Sequence, residues 1–102
     1  MNFGNFIKEQ RENIGLSTRK LSEKIKRSPS YISSIENGLY KPDFETSVKI
    51  IDALRLIVPE NNYDDFLSKF EIFPKGLEDE KIRKEYEDQK IISQLDKLID
   101  YD

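Results

Sequence analysis

Apolar residues along this chain recur every three or four positions rather than every second one, which is the period of helices and not of strands. Phe3, Ile7, Gln10 or Arg11, and Ile14 follow that spacing and predict a first helix ending near Gly15, where glycine accepts the left-handed backbone of a helix stop. Ser17 is placed to cap a second helix, TRKLSEKIK, whose Leu21 and Ile25 face inward. Ser28 is placed to cap a third, with Pro29 at the first helical position, where its missing N–H costs nothing. Ile32 and Ile35 supply its buried stripe, and Asn37-Gly38 ends it. YKPD is a turn, after which Asp43 caps a fourth helix with the stripe Phe44, Val48, Ile51 and Leu54. LIVPENN breaks that helix, and YDDFLSKF predicts a short fifth one carrying Phe66, Leu67 and Phe70. Beyond FPKG, the chain from about Glu78 has the pattern of one long charged helix. Its first half offers little apolar surface besides Ile82 and Tyr86, and its second half gathers Ile91, Ile92, Leu95, Leu98 and Ile99 on one side. No strand alternation, internal repeat or low-complexity run interrupts this pattern. The expected fold class is all-α.

Composition narrows the function classes. The chain has 102 residues, 36% apolar and 36% charged, enough for one small domain and an appended element. Cysteine and histidine are both absent. Disulfides are therefore excluded, and a zinc site and the commonest general base lose their usual residues. No enzyme activity, cofactor or metal is expected. No run of 18 apolar residues is present, so neither a transmembrane helix nor a membrane partner is expected. The N-terminal MNFGNFIKEQRE lacks a basic start followed by an apolar run, so it does not resemble a secretory signal. The expected location is the cytoplasm, with the nucleoid.

Charge changes the picture further. The net charge of −3 conceals ten Lys/Arg against seven Asp/Glu in residues 1–58 and seven against thirteen in residues 59–102. Between Ser17 and Lys41 six cations face only Glu23 and Glu36. One face can thus bind a polyanion although the whole chain is acidic.

Those cations surround two short helices, Ser17–Lys26 and Pro29–Asn37, joined by about three residues: the layout of a helix-turn-helix. In that motif the first helix braces on the DNA backbone and the second lies in the major groove, which demands a short joint and apolar inward positions. The stretch GLSTRKLSEKIKRSPSYISSIENGLYKPDFETSVKIIDAL resembles the lambda-repressor/Cro-type helix-turn-helix, the XRE family. Gly-Leu-Ser, Leu, Tyr-Ile-Ser, Ile-Glu-x-Gly and Pro occur in the family's order, and the resemblance covers roughly residues 3–58. It implies a five-helix domain with its third helix in the major groove of double-stranded DNA. It places Pro29, Ser30 and Ser34 at base edges, Thr18 and Asn37 at phosphates, and Lys41 in a loop that grips the backbone. It also implies an internal ion pair between Arg11 and Glu36, tying the first helix to the end of the third. Two departures stand out: Lys26-Arg27 replaces the usual glycine and small apolar residue of the turn, and Ser34 stands where Arg or Gln is frequent.

A serine face discriminates bases poorly, because each hydroxyl makes one bond where Arg or Gln makes two. Its small size permits close approach and bridging water. Affinity then falls to Arg19, Lys20, Lys24, Lys26, Arg27 and Lys41, of which roughly three to five are expected on phosphates. Ser33 is expected on a phosphate. Tyr31 is expected on a phosphate or a thymine methyl, with packing at the domain edge as its plainer role.

The domain expectation is residues 1–70 for DNA binding and 71–102 for a helical extension. The Ile91, Ile92, Leu95, Leu98 and Ile99 stripe has three open roles: pairing with its twin in a homodimer, docking a regulatory protein partner, or packing back on its own domain. A dimer would also draw on Phe66, Phe70, Ile72 or Phe73. The expected function is a sequence-specific transcriptional regulator, a repressor holding operator DNA as a homodimer. The rival is an antitoxin-like interaction module whose C-terminal helix binds a partner, with DNA binding secondary.

Overall fold

A computed structural model describes residues 2–88 of the chain, and every regular element among them is helical. Helix α1 spans Phe3–Asn13, α2 Thr18–Lys24, α3 Pro29–Glu36, α4 Phe44–Ala53 and α5 Tyr63–Ser68, with a single 3-10 turn at Pro59–Asn61. Residues 80–88 are helical again, starting two residues later than the charge pattern suggested. Asp79 explains the offset: its carboxylate accepts the Lys81 N–H at 2.8 Å, and its carbonyl accepts the Arg83 N–H. The stripe Ile91, Ile92, Leu95, Leu98 and Ile99 lies outside the described residues.

Short polar side chains start the helices. Asn2, Ser17, Asp43 and Asn62 each accept a backbone N–H three residues on, at 2.8 to 3.2 Å. Such a cap stabilises a helix by about 0.5–2 kcal/mol. Ser28 departs from expectation. It occupies the cap position of α3 but makes no side-chain cap bond, its hydroxyl lying 3.5 Å from that of Ser30.

The helix ends share one geometry. In α2, Lys26 N–H donates to the Glu23 carbonyl and Arg27 N–H to the Ser22 carbonyl, the paired bonds of a Schellman cap. The same pair recurs after α1, α3, α4 and α5, so all five close with a left-handed residue. Glycine fills that position after α1 and α3, whereas Lys26, Arg55 and Glu71 fill it at φ of 56 to 58° after the others. This also shortens α2, which ends at Lys24 rather than Lys26. The residue following the left-handed one is Leu16, Leu39, Leu56 or Ile72 in four cases and Arg27 in the fifth.

Leu21 of α2, Ile32 and Ile35 of α3, and Ile7 of α1 meet Ile50, Ile51 and Leu67 in one core. Burying each such side chain contributes about 1.5–3 kcal/mol. Helix α4 is rotated from its expected register: Ser47, Ile50, Ile51 and Leu54 are buried, and Phe44 and Val48 only partly. Ser47 can face inward because its hydroxyl donates to the Asp43 carbonyl at 2.7 Å. Phe66 and Phe70 stack edgewise on Phe6 and Phe3, and Ile72 is buried, so these side chains serve the domain's own packing.

Candidate nucleic-acid interface

The pair α2–α3 is held by the buried Leu21, Ile25, Ile32 and Ile35, and one small buried residue lets the start of α3 come close to α2. Ser22 is fully buried, with its hydroxyl facing the Pro29 carbonyl at 3.4 Å. Lys26, at φ 58°, makes the turn in the left-handed conformation, at a cost of about 1–2 kcal/mol for a residue with a Cβ.

Helix α1 clamps the far end of α3 at two points. Arg11 meets Glu36 through two parallel bonds, Nε to Oε2 at 2.8 Å and Nη2 to Oε1 at 2.9 Å, and its Nη1 donates to the Leu16 carbonyl at 2.9 Å. Both side chains are largely shielded, 12% and 5% exposed. The hydrogen bond to Glu36 raises the Arg11 pKa against the opposing effect of burial. The second point is Gly4, which the sequence reading missed. A Cβ there would collide with the Ile35 carbonyl, lying 3.1 Å from its carbon and 3.2 Å from Glu36 Cα. A glycine inside a helical pattern was the available signal.

The outward side of α3 carries Pro29 and Ser30 exposed, and Ser33 and Ser34 half-buried. Ser34 already spends its hydroxyl hydrogen on the Ser30 carbonyl at 3.0 Å, so its oxygen is left as an acceptor. Asn37 caps the far end and is exposed. Thr18 opens α2, and Arg19, Lys20, Lys24, Lys26 and Arg27 are all exposed along α2 and its turn. Arg19 shares an exposed ion pair with Glu23 at 3.3 Å, a contact weak enough to release.

Tyr31 and Lys41 make contacts that sequence spacing did not suggest. The Tyr31 ring packs 5.4 Å from the Tyr40 ring, and the Arg27 guanidinium lies over it at 5.1 Å. Burial, then hydrogen bonding to Tyr40, raises the Tyr31 pKa. Lys41 donates from Nζ to the Glu71 carbonyl at 2.6 Å, fastening the loop after α3 to the end of α5. Among the described residues no group of acidic side chains is arranged to hold a metal ion.

A short α2, a left-handed turn and an α3 with small polar groups outward make one supersecondary unit, and residues 7–57, half of the chain, match the family model described as Helix-turn-helix. The chain belongs to this helix-turn-helix family. Its helix-turn-helix is of the XRE type. Two relatives from Mycobacterium tuberculosis, in strains CDC 1551 / Oshkosh and ATCC 25618 / H37Rv, each bear the name of an uncharacterised HTH-type transcriptional regulator. Each is 42% identical over 53 residues, which is 52% of this chain and 38% of the relative. The helix-turn-helix match thus spans well under half the length of these relatives. No solved structure matches the chain.

Proposed function

We propose that this chain is a sequence-specific transcriptional regulator that sets α3 into the major groove of double-stranded DNA. The observation that carries the reading is α3 itself. Its far end is locked to α1 by the Arg11–Glu36 fork, and its outer face presents small hydroxyls beside the exposed cations of α2 and its turn. Pro29, Ser30 and Ser34 meet base edges. Thr18, Arg19, Lys20, Lys26, Arg27, Ser33 and Asn37 meet the backbone, and Lys41 joins them with the protons that Glu71 leaves free. Residues 1–70 form the DNA-binding domain. Residues 71–102 form an extension that pairs two copies, and the dimer represses by occupying two half-sites about one helical turn apart.

Selection of binding sites from random duplex DNA at a stated salt concentration, followed by footprinting, tests the reading. An enriched palindromic site is expected, and no enrichment over input overturns it. Replacing Ser30 and Ser34 together by alanine should flatten site preference while non-specific affinity stays. The mass in solution of the chain with and without residues 78–102 tests the dimer, which requires a fall from two copies to one.

A further inference from the structure

Arg27 occupies an anomalous position in the fold. It follows the left-handed residue of the α2 Schellman cap, the place that Leu16, Leu39, Leu56 and Ile72 hold after the other four helices. In such caps an apolar side chain at this place packs back on the last turn of its helix. A guanidinium cannot fill that role in the same way, and here it lies over the Tyr31 ring, 5.1 Å from the centroid. The Tyr31 ring is backed in turn by Tyr40 at 5.4 Å and packs against the core. Burial and hydrogen bonding to Tyr40 raise the Tyr31 pKa, while the side chain of Thr46, near the start of α4, acts against that rise.

We infer that Tyr31 is a positioning residue: its ring face holds the Arg27 guanidinium ready for a DNA phosphate at the entrance to α3, and its hydroxyl makes no contact with DNA. A ring face is negative and attracts a cation without consuming any N–H donor. All five guanidinium donors therefore stay available, and Arg matches phosphate geometry with a two-pronged bond. An unsupported surface arginine would instead lose side-chain freedom on each binding event. The strained Lys26 turn and the Arg27 cap bond fix where this side chain leaves the backbone, and Tyr31 fixes where it ends. The inference rests on the proposed DNA reading and assigns a division of labour within it.

The test is the salt dependence of binding of the full chain to a mixed-sequence DNA duplex, by fluorescence anisotropy. Arg27→Ala should reduce the slope of log affinity against log salt by about 0.9, the value of one phosphate contact. Tyr31→Leu, which keeps an apolar group on the core and is checked for folding by circular dichroism and Tm, should reduce the slope equally although it removes no charge. Tyr31→Phe should bind as the parent does, and the double variant Arg27→Ala/Tyr31→Leu should lose no more than either single one. An unchanged slope in a folded Tyr31→Leu variant overturns the inference, as does a Tyr31→Phe loss equal to that of Tyr31→Leu, which would assign the contact to the hydroxyl. Should the parent chain bind no DNA at all, the regulator reading falls and this one with it, an outcome distinct from a parent that binds and a Tyr31→Leu variant that keeps its slope.

Discussion

Glu36 and Gly4 sit on either side of one contact, the seat of α3 on α1, and they act by opposite means. Glu36 supplies attraction: its carboxylate accepts both prongs of a guanidinium that is itself shielded from water. Removing one member of a shielded pair leaves the other charge without its partner, a larger loss than the net value of the pair. Glu36→Gln should therefore destabilise the domain by about 2–4 kcal/mol, read as a fall in the urea midpoint at unchanged slope. Gly4 supplies room. Alanine ordinarily strengthens a helix by about 0.5–1 kcal/mol over glycine. Here the added methyl meets backbone that cannot swing aside. Gly4→Ala should thus reverse the usual sign and cost about 1–3 kcal/mol, measured as a lowered Tm. The ion pair is implied by the family pattern, whereas the role of Gly4 emerges only when α1 and α3 touch.

At the scale of elements, local hydrogen bonding decides where each helix begins and ends. Lys26 holds a conformation that glycine adopts freely. Lys26→Gly should stabilise the fold by about 1 kcal/mol and at the same time lower the salt slope of DNA binding by about 0.9. A variant that is more stable but binds less steeply would separate folding from function at this turn. Asp43, the cap of α4, titrates below its ordinary 3.8 because of its hydrogen bonds to the Thr46 side chain and backbone, helped by the nearby charges of Arg27 and Lys49. A carboxylate with a lowered folded pKa stabilises the protein above its unfolded value and loses that contribution as pH falls through the folded one. Acid unfolding should accordingly include a component below pH 3.8 that Asp43→Asn removes, visible in stability measured against pH. The caps at Ser17 and Asp43 were legible because a cap is a matter of three neighbouring residues. The missing cap bond at Ser28 and the inward turn of Ser47 were not, since both depend on where a neighbouring hydroxyl or carbonyl comes to lie.

For the whole molecule, the opposed charges of its two parts matter most. The cations of α2 and its turn are all exposed, whereas residues 59–102 carry thirteen acidic against seven basic side chains. Binding to mixed-sequence DNA should show a slope of about −3 to −4.5 in log affinity against log salt for each chain, the sum of roughly three to five phosphate contacts. Fluorescence anisotropy across a salt series measures it directly. One hydrogen bond ties the proposed interface to the residues just past α5, and further contacts hold the following segment together within itself. Lys41 reaches the Glu71 carbonyl, and Arg83 stacks on Phe73 at 3.7 Å while donating to the Leu77 carbonyl.

The helical class, the approximate spans of α1 to α5, the helix-turn-helix and its serine face were all set by the sequence alone. Each of these depends on residues within about one or two turns of one another, so periodicity and local hydrogen-bonding preference suffice to express them. Tertiary structure alone decided the rotation of α4, the close seat of Gly4 on Ile35, the tie from Lys41 to Glu71, and the stack that sets Arg27 on Tyr31 and Tyr31 on Tyr40. Most of these join groups on different elements. Their geometry comes from close packing of the whole core, in which the direction of one side chain is set by what every neighbouring helix leaves open.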